Sequence, residues 1–157
     1  MPAIGEKAPE FSLPDSTGRT VHLKDFRGKK IVLYFYPKDQ TPGCTKEACS
    51  FNDRISEFRK RGAIVLGVSA DSVESHARFA ERYGLRFPLL SDPDKKVINT
   101  YGVWKKKSMY GRTFMGVERT TFVIDEDGMI QALFPKVRVD GHTEAVLESL
   151  TTSRKAL

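Results

Sequence analysis

The sequence predicts a three-layer α/β domain with a mixed central sheet, helices on both faces and a β-hairpin extension at its N-terminus. Two observations carry this. Short apolar runs alternate with amphipathic stretches, the pattern of strand–helix–strand crossovers in a sheet with parallel pairs. Late in the chain, two apolar runs flank Glu126-Asp127-Gly128, which adds an antiparallel hairpin to those pairs. A chain of 157 residues suits one domain, 1–157, with its own core.

Each element has its own signal. Phe11-Ser12-Leu13 and Val21-His22-Leu23 alternate in polarity around Pro14-Asp15-Ser16-Thr17-Gly18, an N-terminal hairpin. Ile31 to Tyr36 is a continuous run of β-formers, as in a buried central strand, and Pro37 ends it. Residues 43–60 read as one helix, because Ala48, Phe51, Ile55 and Phe58 recur at spacings of three and four; Gly62 stops it. Ala63 to Ser69 is a second buried strand. Ser72 and Ser75 open a helix that runs to about Tyr83 and stops at Gly84. Phe87 to Leu90 is a short strand and Asp94 to Tyr101 a short helix. Thr120–Asp125 and Met129–Phe134 form the late hairpin, and a final helix spans about Thr143 to Thr151.

Composition narrows the function classes. No apolar run nears the ~20 residues that cross a bilayer, so no membrane span is expected. The first residues lack a long apolar core behind a basic end, so no secretory leader is expected and the cytoplasm is the default location. The net charge is +6, yet Lys and Arg are scattered among acids, which argues against a nucleic-acid partner. The densest basic run, Lys105-Lys106-Lys107, with the following Ser108 to Arg112, reads as a solvated loop. His22, His76 and His142 share no local ligand spacing; each reads as a surface residue, and no metal site is expected.

The two cysteines, Cys44 and Cys49, hold the chemical interest. In an α/β sheet, ligands bind beyond the carboxyl ends of the strands. The loop leaving Ile31–Tyr36 delivers Cys44 to the first turn of the next helix. Unpaired N–H groups and the helix dipole there favour the thiolate, the reactive form. Thr41 lies three residues upstream, close enough for its hydroxyl to meet the sulfur or a bound oxygen. Pro42 and Gly43 permit a sharp entry, and Pro37 can wall one side of a narrow pocket. Cys49 is five residues on, turned about 140° and displaced about 7.5 Å along an intact helix. The Cα atoms would then be about 8.7 Å apart, beyond disulfide reach. Any bond between these sulfurs requires the first turns to unwind, which suits a transient disulfide better than a permanent staple. The spacing is neither a Cys-x-x-Cys exchanger motif nor a structural zinc set.

The chain resembles a peroxiredoxin of the bacterioferritin-comigratory-protein type, the Q subfamily. Gly5 to Leu13 is similar to that family's opening. Tyr34 to Cys49 carries its Pro-x-x-x-Thr-x-x-Cys signature, with the second cysteine in this subfamily's position. Glu118 to Asp125 resembles the segment that supplies its active-site arginine. The resemblance implies a thioredoxin-like fold and a thiol peroxidase that needs no cofactor. It implies Cys44 as the peroxidatic nucleophile and Cys49 as the resolving thiol. Arg119 would stabilise the thiolate and polarise the peroxide, Thr41 would position the peroxide, and Pro37 would shield the pocket. A thioredoxin-like dithiol would restore the thiols. The tail, Thr151 to Leu157, has no extra cysteine, so a monomer is expected. Two other readings stand beside this one. The first is a non-peroxidatic thiol–disulfide oxidoreductase on the same fold. The second is a basic interaction module whose cysteines are core residues.

Overall fold

In the computed structural model, which describes residues 1–151, the N-terminal hairpin pairs β1 (Ser12–Pro14) with β2 (Thr20–His22). A 3-10 turn, Leu23–Phe26, follows. The central strand β3 (Lys30–Phe35) then leads to α1 (Pro42–Asp53) and α2 (Ile55–Lys60). Next come β4 (Ala63–Ser69), α3 (Val73–Tyr83), β5 (Leu89–Ser91) and α4 (Lys96–Thr100). A second hairpin joins β6 (Trp104–Met109) to β7 (Arg112–Val117). The chain returns through β8 (Thr120–Ile124) and β9 (Ile130–Phe134) to α5 (His142–Ser149).

The main sheet has the order β5-β4-β3-β8-β9. β3, β4 and β5 run parallel, whereas β8 and β9 are antiparallel additions. Period-2 alternation in β3 divides the core. Ile31, Leu33 and Phe35 face a cluster built with the N-terminal hairpin and α4. Val32, Tyr34 and Tyr36 face the other cluster, with Ala48 and Phe51 of α1, Phe58 of α2, Phe79 of α3 and Val146 of α5. Helices thus cover both faces, as the alternating pattern predicts.

Local chemistry explains the boundaries. The Ser72 hydroxyl accepts from the Ser75 amide at 3.1 Å and caps α3, while Gly84, at φ 60°, ends it in a left-handed conformation that a side chain would resist. The β8–β9 connection, residues 125–129, turns on Gly128 at φ 83°, with Asp125 Oδ1 accepting from the Asp127 and Met129 amides.

Two elements differ from the sequence reading. The single helix over 43–60 is broken at Arg54, whose amide donates to Phe51 O, and whose side chain binds Glu57 and Glu144. Residues 104–117 are a hairpin, not a loop. Tyr110 and Gly111 take φ of 52° and 75°, which matches a two-residue turn with both central residues left-handed. The basic run hid the alternation because lysine occupies inward and outward positions alike. The expectation about the tail falls on residues 152–157, outside the described residues.

Candidate active site

Strand β3 ends at the rim of the sheet, and its antiparallel neighbour β8 begins there. The register pairs Phe35 with Thr120, which brings Arg119 to the exit of β3, where α1 starts. Thr41 is the N-cap of α1 with extended backbone, and Pro42 occupies its first position, where a missing N–H costs nothing. Cys44 follows in the first turn. It is buried, at 1% exposure.

Arg119 Nη2 donates to Cys44 Sγ at 3.4 Å. Its other terminal nitrogen donates to Glu47 Oε1 at 2.6 Å. Glu47 lies three residues beyond Cys44, so the two side chains share one helix face. Gly43 makes the approach possible, since a Cβ there would lie 3.1 Å from Arg119 Nη2. Burial alone would pull the Arg119 guanidinium down, but Glu47 and Cys44 more than offset it, and the net shift is upward. The cation beside the sulfur is therefore permanent.

Glu47 was not singled out by the sequence reading. It is 1% exposed, and its Oε2 makes no hydrogen bond among the described residues. Burial pushes its carboxyl up to about 7, with Arg119 restraining the rise. The neighbouring Tyr34 phenol is also buried; burial, then Glu47 and Cys44, push it well above its ordinary range, so it stays neutral. Burial, then Arg119, pull the Lys107 ammonium down while Cys44 and Glu118 act against them, so hairpin β6–β7 lies within electrostatic reach of the sulfur.

The Thr41 hydroxyl donates to Lys38 O at 2.8 Å rather than to the sulfur, which leaves its oxygen free to accept. Pro37 is half-buried, two residues past the end of β3. Cys49 is also half-buried, in the second turn of α1, and both sulfurs are free thiols. Burial pushes the Cys49 thiol up, and Asp53 adds to the effect. The two cysteines thus sit in opposite surroundings, one beside a fixed cation and one beside an acid.

His76 and His142 are buried, not at the surface as expected. Burial, then Arg119, push the His142 imidazole down to about 4, and its Nε2 lies 2.8 Å from the Thr121 hydroxyl. His76 anchors the loop before Cys44. Its Nε2 is 3.0 Å from Leu90 O, an acceptor only, so Nε2 carries a hydrogen. Its Nδ1 faces Asp39 Oδ2 at 2.7 Å, and Asp39 also accepts from Tyr36 and Ser75 hydroxyls at 2.6 and 2.8 Å. Asp71 Oδ2 completes the knot by accepting from the Asp39 amide at 2.9 Å and the Ser69 hydroxyl at 2.6 Å. Asp39 Oδ2 and His76 Nδ1 are thus engaged with each other, and Asp71 Oδ2 with the Asp39 amide and the Ser69 hydroxyl. The sequence offered no signal for this network, because Asp39 and His76 are 37 residues apart.

Comparison with known proteins agrees with the geometry. The profile of the AhpC/TSA family matches residues 4–133. Peroxiredoxin Bcp of Bacillus subtilis is 47% identical over 147 residues, covering 94% of each chain. A Coxiella burnetii protein with the provisional name peroxiredoxin bcp is 53% identical, covering 94% of this chain and 97% of its own. Among solved structures, the PrxQ mutant of Xylella fastidiosa superposes with a TM-score of 0.91 at 39% identity, covering 96% of both chains. The bacterioferritin comigratory protein of Xanthomonas campestris, studied for alkyl peroxide reduction, superposes at 0.85 with 44% identity over 90% of both chains. A buried cysteine at a helix start against an arginine, on this fold and in this company, leads to one assignment: the chain belongs to the AhpC/TSA family as a thiol peroxidase of the Bcp/PrxQ type of peroxiredoxin.

Proposed function

We propose that this single-domain chain, 1–157, reduces hydrogen peroxide and alkyl hydroperoxides through Cys44, with Cys49 closing an intramolecular disulfide. The observation that carries the reading is the 3.4 Å contact between Arg119 Nη2 and Cys44 Sγ. The Cys44 thiolate attacks one peroxide oxygen, the O–O bond breaks, and hydroxide or alkoxide leaves and takes a proton. Cys44 becomes a sulfenic acid. Arg119 holds the thiolate before attack and the charge shared between the oxygens during it. Thr41 Oγ1, its hydrogen committed to Lys38, accepts the hydroperoxide O–H and orients the substrate. Pro37 narrows the mouth. The likeness to the Xanthomonas protein supports alkyl hydroperoxides as substrates.

Resolution needs α1 to open. Its N-terminus has no side-chain cap and no acid in the first turn, and a missing cap withholds about 1 kcal/mol from a helix. The first backbone bond to release runs from the Thr45 amide to Thr41 O, at 2.8 Å. Cys49 then attacks the sulfenic sulfur, water leaves, and a disulfide forms. A thioredoxin-like protein dithiol restores both thiols by exchange and is itself oxidised. Because both sulfurs lie in α1, a monomer suffices, and reduced thiols fit the cytoplasm.

Paired cysteine variants test the reading. Cys44→Ser abolishes peroxide consumption, while Cys49→Ser consumes about one equivalent and accumulates sulfenic Cys44. Peroxide turnover by Cys44→Ser, or an unmodified Cys44 thiol in peroxide-treated Cys49→Ser, rejects it.

A further inference from the structure

Hairpin β6–β7 stands apart from the main sheet as a two-stranded ribbon. Its base is fixed: Val103 and Val117 are buried, the Glu118 amide donates to Val103 O at 2.8 Å, and Lys95 lies over the Trp104 ring. Its outer part is unpartnered among the described residues. Met109, Tyr110, Phe114 and Met115 are 57%, 97%, 44% and 48% exposed, and among the described residues they make up most of the large apolar side chains left open to water. Lys105, Lys106, Lys107 and Arg112 share the ribbon, and no acid lies between Trp104 and Val117. Exposed apolar groups concentrated in this way mark a contact surface.

The register shows what kind of contact. Lys106 is opposite Met115, Lys107 opposite Phe114, and Met109 opposite Arg112. Met109, Phe114 and Met115 therefore each face a cation across the ribbon. A surface that dips into lipid would segregate its apolar tip from its charges. An interleaved mosaic fits a protein face that is apolar at its centre and acidic around it. The ribbon also leads directly into Arg119, and Lys107 lies within electrostatic reach of Cys44. A partner seated there would stand beside Arg119 and Cys44, which are themselves 3.4 Å apart.

We propose that the β6–β7 ribbon is the docking surface for the protein dithiol that reduces the Cys44–Cys49 disulfide, and that this reductant presents an acidic rim around an apolar patch beside its thiols. The inference rests on the peroxidase reading above. Electrostatic steering to this ribbon would set the association rate of a transient contact.

The test separates the protein reductant from a small one. The disulfide form of the full chain is reduced either by an acidic bacterial thioredoxin, kept reduced by its reductase and NADPH, or by dithiothreitol. The variants are Lys105→Glu/Lys106→Glu and Tyr110→Ser/Met115→Ser. Each lowers kcat/KM for thioredoxin about tenfold. The charge variant also loses the steep salt dependence of the wild type. Oxidation by hydrogen peroxide and reduction by dithiothreitol stay unchanged, which shows that the fold and site are intact. Unchanged thioredoxin kinetics overturn the proposal. A parallel loss with dithiothreitol overturns it too, because the ribbon would then act on the site itself. So does binding to phosphatidylglycerol vesicles that the variants abolish while thioredoxin kinetics persist. A wild-type disulfide that dithiothreitol reduces and thioredoxin leaves intact removes the thioredoxin-type reductant, and this docking role with it. A protein that forms no disulfide with peroxide fails earlier, at the peroxidase reading.

Discussion

Arg119 divides its two terminal nitrogens between Cys44 Sγ, at 3.4 Å, and Glu47 Oε1, at 2.6 Å, so one half-buried guanidinium fixes a nucleophile and a carboxyl at once. The contact with Glu47 orients the fork; the contact with Cys44 uses it. Replacing Arg119 by Ala slows peroxide attack roughly a hundredfold, the scale of losing one preorganised donor. Arg119→Lys does not restore the rate, because an ammonium cannot span both partners. Gly43→Ala probes the same contact from the other side, since its new Cβ crowds Nη2 at 3.1 Å. It slows attack while leaving the urea midpoint nearly unchanged. Stopped-flow oxidation rates check all three variants, and a wild-type rate in Arg119→Ala removes Arg119 from the chemistry.

Glu47 makes stability depend on pH in a definite direction. Its carboxyl sits at about 7 in the folded chain against an ordinary 4.5, so the folded state binds more protons in that window. Its contribution is fully present below 4.5 and is lost as pH rises through 7. His142 works the other way: its folded value of about 4 lies below 6.5, so its contribution is present above 6.5 and lost as pH falls toward 4. Comparing Glu47→Gln with wild type isolates the first effect. The wild type loses on the order of 1–3 kcal/mol more than the variant between pH 5 and pH 7.5. Urea denaturation at the two pH values checks this, and identical pH dependence in the two proteins contradicts it.

The Asp39–His76 couple ties the loop before Cys44 to α3 and β5. His76→Leu leaves Asp39 buried without its imidazole partner, a loss of about 3–5 kcal/mol by the usual measure of a broken buried pair. The urea midpoint falls accordingly, and peroxide attack slows because the Pro37–Thr41 loop loses its anchor. A variant as stable as wild type shows that the couple is not structural.

The parts of this molecule that were legible in the sequence are those with local signatures. β3 showed itself by an unbroken run of β-formers, and the start of α1 by Pro42-Gly43 after it, which placed Cys44 at once. The cysteine spacing also spoke directly, because helix geometry forbids that bond without unwinding. Arg119 was different: by itself it was a cation before a strand, and only the family likeness gave it a role, which the β3–β8 register then explains. Glu47 passed unnoticed because an acid in an amphipathic helix is ordinary until an arginine from another strand meets it. The Arg54 break was invisible, since neither glycine nor proline marks it. The β6–β7 ribbon was misread although Tyr110-Gly111 stood in view, because its lysines suggested solvent on every side. Long-range pairs such as Asp39 and His76 leave no trace that periodicity can find.

The most direct test is rapid mixing of the fully reduced chain with one equivalent of hydrogen peroxide, followed by peptide mapping of the quenched product. Cys44 is expected to be sulfenic at early times and to convert to a Cys44–Cys49 disulfide within one subunit. Thiols that survive peroxide unchanged, or first oxidation at Cys49, would contradict it.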